Sequence, residues 1–231
     1  MTDGLFEGSV YFGVCVSLAA YPAGVWLRKK TGWSFMNPLL VSIVLVIAAL
    51  LVCGIGYGTY NESASWLSYL LTPATVCLAV PLYQQVDLLR KNSRAIICGI
   101  VGGALSGMTT VLLLALLFGF SHEAYVTFLP KSITTAIGMG VSEELGGIVS
   151  VTVVSIIVTG VLGNIMAEKV LAWLKIDEPV AKGIAIGSSS HAIGTAKAME
   201  MGVVEGATSG LSIVVSGILT VVGASLFALF L

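Results

Sequence analysis

Charge is what this sequence holds least of. Only 10% of its residues are Asp, Glu, Lys or Arg, 57% are hydrophobic and the mean hydropathy is +1.01, whereas soluble domains carry about 25% charged residues. A water-soluble chain is excluded by this balance. The formal net charge of -1 comes without an extended basic face, and binding a polyanion needs clustered Lys and Arg on an exposed surface; a nucleic-acid partner is not expected. Cys15, Cys53, Cys77 and Cys98 fall in separate apolar stretches with no Cys-x-x-Cys or Cys/His spacing. They read as buried small hydrophobes, with neither a disulfide framework nor a metal site. No P-loop, dinucleotide fingerprint, His-Glu-x-x-His motif or hydrolase triad is present, so neither an enzyme nor a cofactor is expected. The first residues, with Asp3 and Glu7, lack a basic region and an Ala-x-Ala site; no cleaved signal peptide is expected, and the first helix should stay in the membrane.

What the chain does hold is long uncharged runs. Stretches 8–27, 31–61, 63–86, 95–122, 145–167 and 206–231 contain no Asp, Glu, Lys or Arg, and a hydrocarbon core needs roughly 20 apolar residues to cross. The charged connectors 28–30, 87–94 and 168–182 leave no room for a soluble domain. The expectation is a single integral domain over 1–231, a multi-pass protein whose solvent is the lipid bilayer. Basic residues gather at Arg28, Lys29 and Lys30 and again at Arg90, Lys91 and Arg94, while the intervening loops 58–66 and 119–123 have none. The positive-inside rule makes the two clusters cytoplasmic and puts the N-terminus outside.

Crossings are expected at 9–27, 39–57, 67–86 and 95–118, the second opened by Asn37-Pro38. Thr72-Pro73 and Val80-Pro81 bracket the third, and each proline removes a donor and crowds the preceding turn, so Pro73 and Pro81 predict a kink or break there. Shifting the numbering by roughly 110–116 residues lays the second half on the first, which predicts an internal repeat of 1–119 and 120–231 with discontinuous helices at matching positions. In the second half, Lys169, Lys175 and Lys182 are cytoplasmic only if 124–144 enters and leaves on the outer side. Pro130, Gly138, Gly140, Gly146 and Gly147 suit such a re-entrant hairpin better than a clean span. The fold class is therefore an all-α polytopic membrane protein of about seven to eight membrane segments, with re-entrant helices of the secondary-transporter kind.

Two polar stretches interrupt the hydrocarbon-like chain: 130–135 (Pro-Lys-Ser-Ile-Thr-Thr) and 187–197 (Gly-Ser-Ser-Ser-His-Ala-Ile-Gly-Thr-Ala-Lys). Each unsatisfied backbone group costs several kcal/mol in a bilayer, so helix breakers mixed with hydroxyls and ionisable groups at membrane depth line a solute path. Lys131, with Ser132, Thr134 and Thr135, can meet a carboxylate together with the amides of a helix N-terminus. The alternative is a lysine that snorkels to the interface. His191, among Ser189, Ser190, Gly194 and Thr195, is a candidate ligand and proton carrier, or a structural histidine bonded to a freed carbonyl. Lys197 reads as a rim charge. Tyr83 is a candidate gate at the inner end of a path, or part of an interfacial aromatic belt. Glu143, Glu144, Glu200 and Glu205 read as cap or loop residues, and Gly99, Gly102, Gly103, Ser106 and Gly107 as a close-packing face.

Four ordered motifs carry a resemblance: Asn37-Pro38-Leu39-Leu40; Pro73-Ala74 through Ala79-Val80-Pro81-Leu82-Tyr83; 129–135 (Leu-Pro-Lys-Ser-Ile-Thr-Thr); and 190–196 (Ser-His-Ala-Ile-Gly-Thr-Ala). Together they resemble the LrgB/CidB family, which includes the membrane region of the plant plastidic glycolate/glycerate translocator. The resemblance implies secondary transport of small monocarboxylates such as glycolate, glycerate, pyruvate or lactate, a bacterial inner-membrane location and a partner of the LrgA/CidA type. It also implies an alternative, in which such pairs modulate murein hydrolase export and cell lysis. A homodimer is an expectation for such carriers. Relatives often carry proline after the Thr-Thr pair, where this chain has Ala136, which puts the geometry of that break in question.

Overall fold

The structure, a computed structural model, describes residues 9, 11–32 and 36–231; Asp3 and Glu7 lie outside them. It is 86% helix, and no strand occurs among the described residues. Among the described residues, three helices are long and apolar enough to cross a membrane: Ser93–Phe118, Val149–Trp173 and Val203–Phe230. The protein is a helical membrane protein. It divides into two compact units, Met1–Cys77 and Leu78–Leu231.

In the first unit, α1 (Phe12–Thr31) ends on Arg28, Lys29 and Lys30, which complement the negative end of the helix dipole, and Gly32 closes it at φ 67°. Asn37 then caps α2 (Pro38–Cys53): its Oδ1 accepts Leu39 N at 2.9 Å, and Pro38 takes the first turn, where the missing N–H costs nothing. Gly54 caps α2 after 16 residues, about 24 Å of helix, so that the helix stops four residues short of the crossing expected to reach Tyr57. A short α3 (Tyr57–Ala64) packs on α1, where Gly13 N donates to Ser63 Oγ at 2.7 Å and Ser17 Oγ meets Tyr60 Oη at 2.8 Å.

A 3-10 segment (Ser65–Leu70) leads into α4 (Leu71–Gln84), in which the boundary between the units falls. This corrects the break expected at Pro73 and Pro81, because helix runs unbroken across both prolines. Pro73 is the third residue of α4, where no intrahelical donor is lost, and Pro81 sits in its last turn, where a single bond is forgone. The four cysteines are exposed, not buried. Lipid-facing surface is as apolar as the core, so hydrophobicity cannot separate the two.

The second unit comprises α5 (Val86–Lys91), α6 (Ser93–Phe118), α7 (His122–Phe128), α8 (Thr135–Glu144), α9 (Val149–Trp173), α10 (Pro179–Met201) and α11 (Val203–Phe227). Helices α7 and α8 form a hairpin. A Cβ on Gly147 would sit 3.0 Å from Thr127 N, Ile148 N donates to Thr127 Oγ1 at 2.8 Å, and nearer the tip a Cβ on Gly138 would lie 3.5 Å from Pro130 O. Both ends of 122–148 therefore lie on one side, as expected for a re-entrant segment.

Helix α10 folds back as well, at His191 (φ 42°, ψ -139°). Ser209 touches Gly187 through its carbonyl and meets Thr195 Oγ1 at 2.7 Å, while Ile186 and Ala198 share one buried cluster with Ala167 and Leu171. Residues eight or twelve apart lie about 12–18 Å apart along a straight helix. They meet here because 179–190 and 192–201 are the antiparallel arms of a second hairpin, which a sequence reading as one discontinuous helix does not resolve.

The hairpins enter from opposite ends. Gly99 faces Ile184 and Gly103 faces Ser188, so the first half of α6 runs beside the ingoing arm of the second hairpin; Gly107 then approaches Ser132 at the tip of the first. Each hairpin leads into a long helix, α9 or α11, and a hydroxyl pair ties each outgoing arm to the helix that follows: Ser142 to Thr152 and Thr195 to Ser209, both at 2.7 Å. The correspondence visible in the fold lies inside 122–227.

Candidate functional site

Helix α9 gives a ruler for depth. Ile156 carries Gly138 of the first hairpin on its side chain, and its carbonyl meets His191 Nε2 at 3.0 Å; Gly160 lies against the His191 ring. These residues stand roughly 10–16 Å along a helix of about 37 Å. Both hairpin tips thus reach well inside a membrane-length helix, about a quarter to nearly half of the way along it, and meet there.

Around that level is a cavity of about 330 Å3 lined by Gly103, Ser106, Gly107, Thr110, Lys131, Ser132, Ala185, Ser188 and Ser189. Lys131 is half-buried and is the only Lys or Arg between Arg94 and Lys169. Its Nζ donates to Ser132 Oγ at 3.2 Å, and among the described residues no carboxylate lies within ion-pair distance of it. Beside it α8 begins at Thr134, whose side chain makes no capping bond, so the first amides of that ten-residue helix add their positive field to the ammonium. The four other hydroxyls of the cavity are engaged as donors: Ser106 to Gly103 O at 3.0 Å, and Thr110 to Ser106 O, Ser188 to Ile184 O and Ser189 to Ala185 O, each at 2.7 Å. Toward a bound solute they offer lone pairs.

A larger cavity, about 630 Å3, runs from Asn92 and Glu178 to Gly103, Ala185 and Ser188, three residues that it shares with the Lys131 cavity. On the other side of Lys131, Met108, Val111, Tyr125, Leu129, Ile133 and Ala224 form a buried apolar cluster. Access to the lysine is thus open toward the end where α6 and α10 begin.

The sequence-predicted residues separate into groups. Lys131, Ser132 and Ser189 line the cavity, while Thr134 and Thr135 open α8 and are half-buried. Ser190 is buried against Gly163 and lines, with Met166 and Leu171, an adjoining space of about 240 Å3 between α9 and α10 that shares Ala185 and Ser189 with the Lys131 cavity. His191 is 3% exposed and bonded to Ile156 O. Its backbone occupies a region that side chains other than glycine's avoid, at a cost of about 1–3 kcal/mol. Thr195 is fully buried and donates to His191 O at 2.9 Å. The His191 ring is therefore pinned to α9 and its carbonyl, through Thr195 and Ser209, to α11.

Pro130 is buried in the turn between α7 and α8, a true break. Gly138 and Gly194, expected as breaks, lie inside helical arms instead: a Cβ on Gly138 would strike Ile156 Cδ1, and one on Gly194 would stand 2.5 Å from Ser190 Cβ. Both serve close approach. Tyr83 is 80% exposed near the end of α4 and does not line the cavity. Lys197 pairs with Glu168 at 2.7 Å and Glu200 at 3.2 Å on the outgoing arm of the second hairpin, as a rim charge does. Missing from the sequence-based set are Ser106, Gly107, Thr110 and Ser188. The available signal was the stripe of glycines and hydroxyls at 103, 106, 107 and 110 in an otherwise apolar helix, of which Gly103, Ser106 and Gly107 were read there as packing alone and Thr110 was not singled out.

Comparison with known proteins agrees with the motifs. The profile of the LrgB-like family matches residues 17–230. The antiholin-like protein LrgB of Bacillus subtilis is 39% identical over 214 residues, covering 92% of this chain and 93% of that one. The holin-like protein CidB of Staphylococcus aureus is 35% identical over 207 residues, 90% of each chain, and the uncharacterized protein YxaC of Bacillus subtilis is 37% identical over 206 residues. No solved structure matches. With a profile match over most of its length and relatives at this identity, the chain belongs to the LrgB-like family.

Proposed function

We propose that this protein is a multi-pass carrier of the cytoplasmic membrane that moves a small monocarboxylate, and that the unpaired ammonium of Lys131, held at mid-depth between two opposed hairpins, is the group that receives the anion. An ionisable side chain kept at that depth without a carboxylate partner is a functional site by default. The inward orientation of the open cavity fits a carrier in which the side bearing Arg90, Arg94, Lys169, Lys175 and Lys182 is cytoplasmic. The segment count under this reading is α1, α2, α4, α6, α9 and α11 plus the two hairpins.

The hydroxyl pattern favours one kind of carboxylate. Ser106, Thr110, Ser188 and Ser189 already donate to backbone carbonyls, so they accept from a solute that brings its own O–H. Glycolate, glycerate and lactate fit ahead of pyruvate. His191, bonded to Ile156 O, supports the tip in this reading and has no part as proton carrier. The chain acts as a carrier and not as an enzyme.

The names of the relatives, antiholin-like and holin-like, favour a second reading better than the carrier: a membrane module that works with a small LrgA/CidA-type partner, as a homodimer or larger assembly, to control lysis. A cavity of about 330 Å3 passes small solutes, whereas a 100-residue folded domain has a radius of gyration of about 13 Å. A hole for hydrolases would have to form between subunits. Both readings meet in one experiment, with purified protein in liposomes loaded with a fluorescent dextran. Saturable glycolate uptake, reduced about 10-fold or more in Lys131→Ala by loss of a charge-assisted bond, with the dextran retained, supports the carrier. Dextran release with uptake unaffected by Lys131→Ala supports the lesion-forming module and defeats the carrier.

A further inference from the structure

Ser216 is 2% exposed and its Oγ has no hydrogen-bond partner. Leaving a hydroxyl buried and unpaired costs about 1–3 kcal/mol, and hydroxyls in membrane helices ordinarily avoid that cost by bonding the carbonyl one turn back. Its neighbours along α11 do so: Thr208 donates to Val204 O and Ser212 to Thr208 O.

The location of Ser216 follows from contacts on either side. Seven residues after Ser209 and four after Ser212, it lies on the same face of α11, and those two serines pack on Gly187 of the second hairpin. Gly187 is four residues from the tip at His191. Farther along the same face Gly223 meets Met108 of α6, one residue beyond Gly107, which faces Ser132 at the first tip; beside Ser216, Gly217 meets Ile137 of the outgoing arm of the first hairpin. Ser216 is therefore directed at the junction where both hairpins end. The ingoing arm of the second hairpin also terminates there, so its last carbonyls and the negative end of its dipole point to the same place.

We infer that the junction of the two hairpin tips binds a monovalent cation of sodium size, with Ser216 Oγ as one ligand and backbone carbonyls at the end of the ingoing arm of the second hairpin, near His191, as others. The chemistry selects this class. The Lys131 ammonium stands at the first tip, and the groups that face Ser216 from the second are hydroxyl and carbonyl oxygens, hard donors without formal charge; with that ammonium near and no carboxylate among the bracketing contacts, nothing would offset the dehydration and repulsion of a divalent ion. Half-helix C-termini and unwound carbonyls near the midplane are the recurring way in which membrane proteins hold a coupling cation. The inference rests on the hairpins being membrane-embedded, and it does not depend on which solute Lys131 receives.

Thermal unfolding of the purified protein in detergent tests it directly, in sodium chloride against choline chloride at equal ionic strength. Sodium should raise the midpoint saturably by about 2–4 °C; Ser216→Ala should abolish the rise, and Ser225→Ala, an exposed serine on the same helix, should keep it. No sodium-specific rise, or a rise unchanged in Ser216→Ala, overturns the site. If Ser216→Ala does not purify, hydrogen exchange on the unaltered protein decides: sodium should slow exchange in 187–195 and 212–220, and equal exchange in the two salts rejects the inference. Sodium stabilisation without glycolate uptake would leave the cation site standing while the carrier reading fell.

Discussion

The pin at His191 can be tested by a single methyl group. A Cβ on Gly160 would stand 2.8 Å from His191 Cε1, 2.9 Å from Nε2 and 2.9 Å from Ile193 Cδ1, whereas carbon atoms pack at about 3.5–4.0 Å. Gly160→Ala therefore requires the ring to retreat by about 0.6–1 Å, and a retreat of that size breaks the 3.0 Å bond to Ile156 O. Overpacking costs about 1–3 kcal/mol, and an unpaired buried polar group about 1–3 kcal/mol. The alanine returns up to about 1 kcal/mol in helix propensity. The balance is a loss of about 1 kcal/mol or more, a fall of at least about 2–4 °C in the unfolding midpoint for a chain of this size.

Gly102→Ala is the matched control, because nothing lies within 4 Å of its Cβ and only the propensity gain should register. Thermal unfolding of both variants in the same detergent, with glycolate uptake in parallel, gives the comparison. If Gly160→Ala is as stable as Gly102→Ala, the His191 ring does not lie against α9 and the account of the second hairpin is wrong.

Other substitutions probe separate joints. A Cβ on Gly163 would collide with Ser190 Oγ, so Gly163→Ala should lower the unfolding midpoint and Ser190→Gly in the same molecule should restore it, a coupling that independent sites would not show. Thr152→Val removes the hydroxyl that bonds Thr127 O and Ser142 Oγ; it should cost about 1–3 kcal/mol and speed hydrogen exchange at the base of the first hairpin. Tyr125→Phe loses the 3.0 Å bond to Phe227 O and should cost about 1 kcal/mol in the same unfolding assay. Glu168→Gln breaks the pair with Lys197, but Glu168 is 60% exposed, so its effect on stability should stay below about 1 kcal/mol.

The first hairpin was legible because its tip is written in residues that helices reject: Pro130 at the turn, with Gly146 and Gly147 at the exit. The second was not, because its reversal is made by a histidine. Ser-Ser-Ser-His-Ala contains no proline or glycine at the turn, and the conformation of His191 is held by tertiary bonds to Ile156 and, through Thr195, to Ser209, which no local propensity encodes. Pro73 and Pro81 misled in the opposite direction: Pro73 falls in the first turn of α4, where no intrahelical donor is lost, and Pro81 forgoes one bond in the last turn without ending the helix. Lys131 was found as the lone charge in a long neutral run. Its neighbours Ser106 and Thr110 were passed over because a glycine and hydroxyl stripe that packs helices and one that lines a cavity have the same spacing.

The two hairpins also explain the asymmetry of α6. Its first half bears Gly99 and Gly103 against the second hairpin and its next turn bears Gly107 toward the first, so small residues recur where each hairpin slides closest. Because the hairpins enter from opposite ends, withdrawing either one from α6 exposes Lys131 to one side only. In the present arrangement the space beside Gly103 and Ser188 is open and the Val111, Tyr125 and Leu129 cluster is closed. Under the carrier reading, the opposite state requires that cluster to part while the second hairpin slides along α6 and closes the space beside Gly103. Gly103 already packs on Ser188, where a Cβ would lie 2.7 Å from Ser188 Oγ. Gly103→Ala should therefore push the two apart and hinder the slide, slowing net uptake while exchange of solute with the cytoplasmic side persists. Equal loss of net uptake and of exchange would mean that this glycine only packs, and that the hairpins do not move along α6.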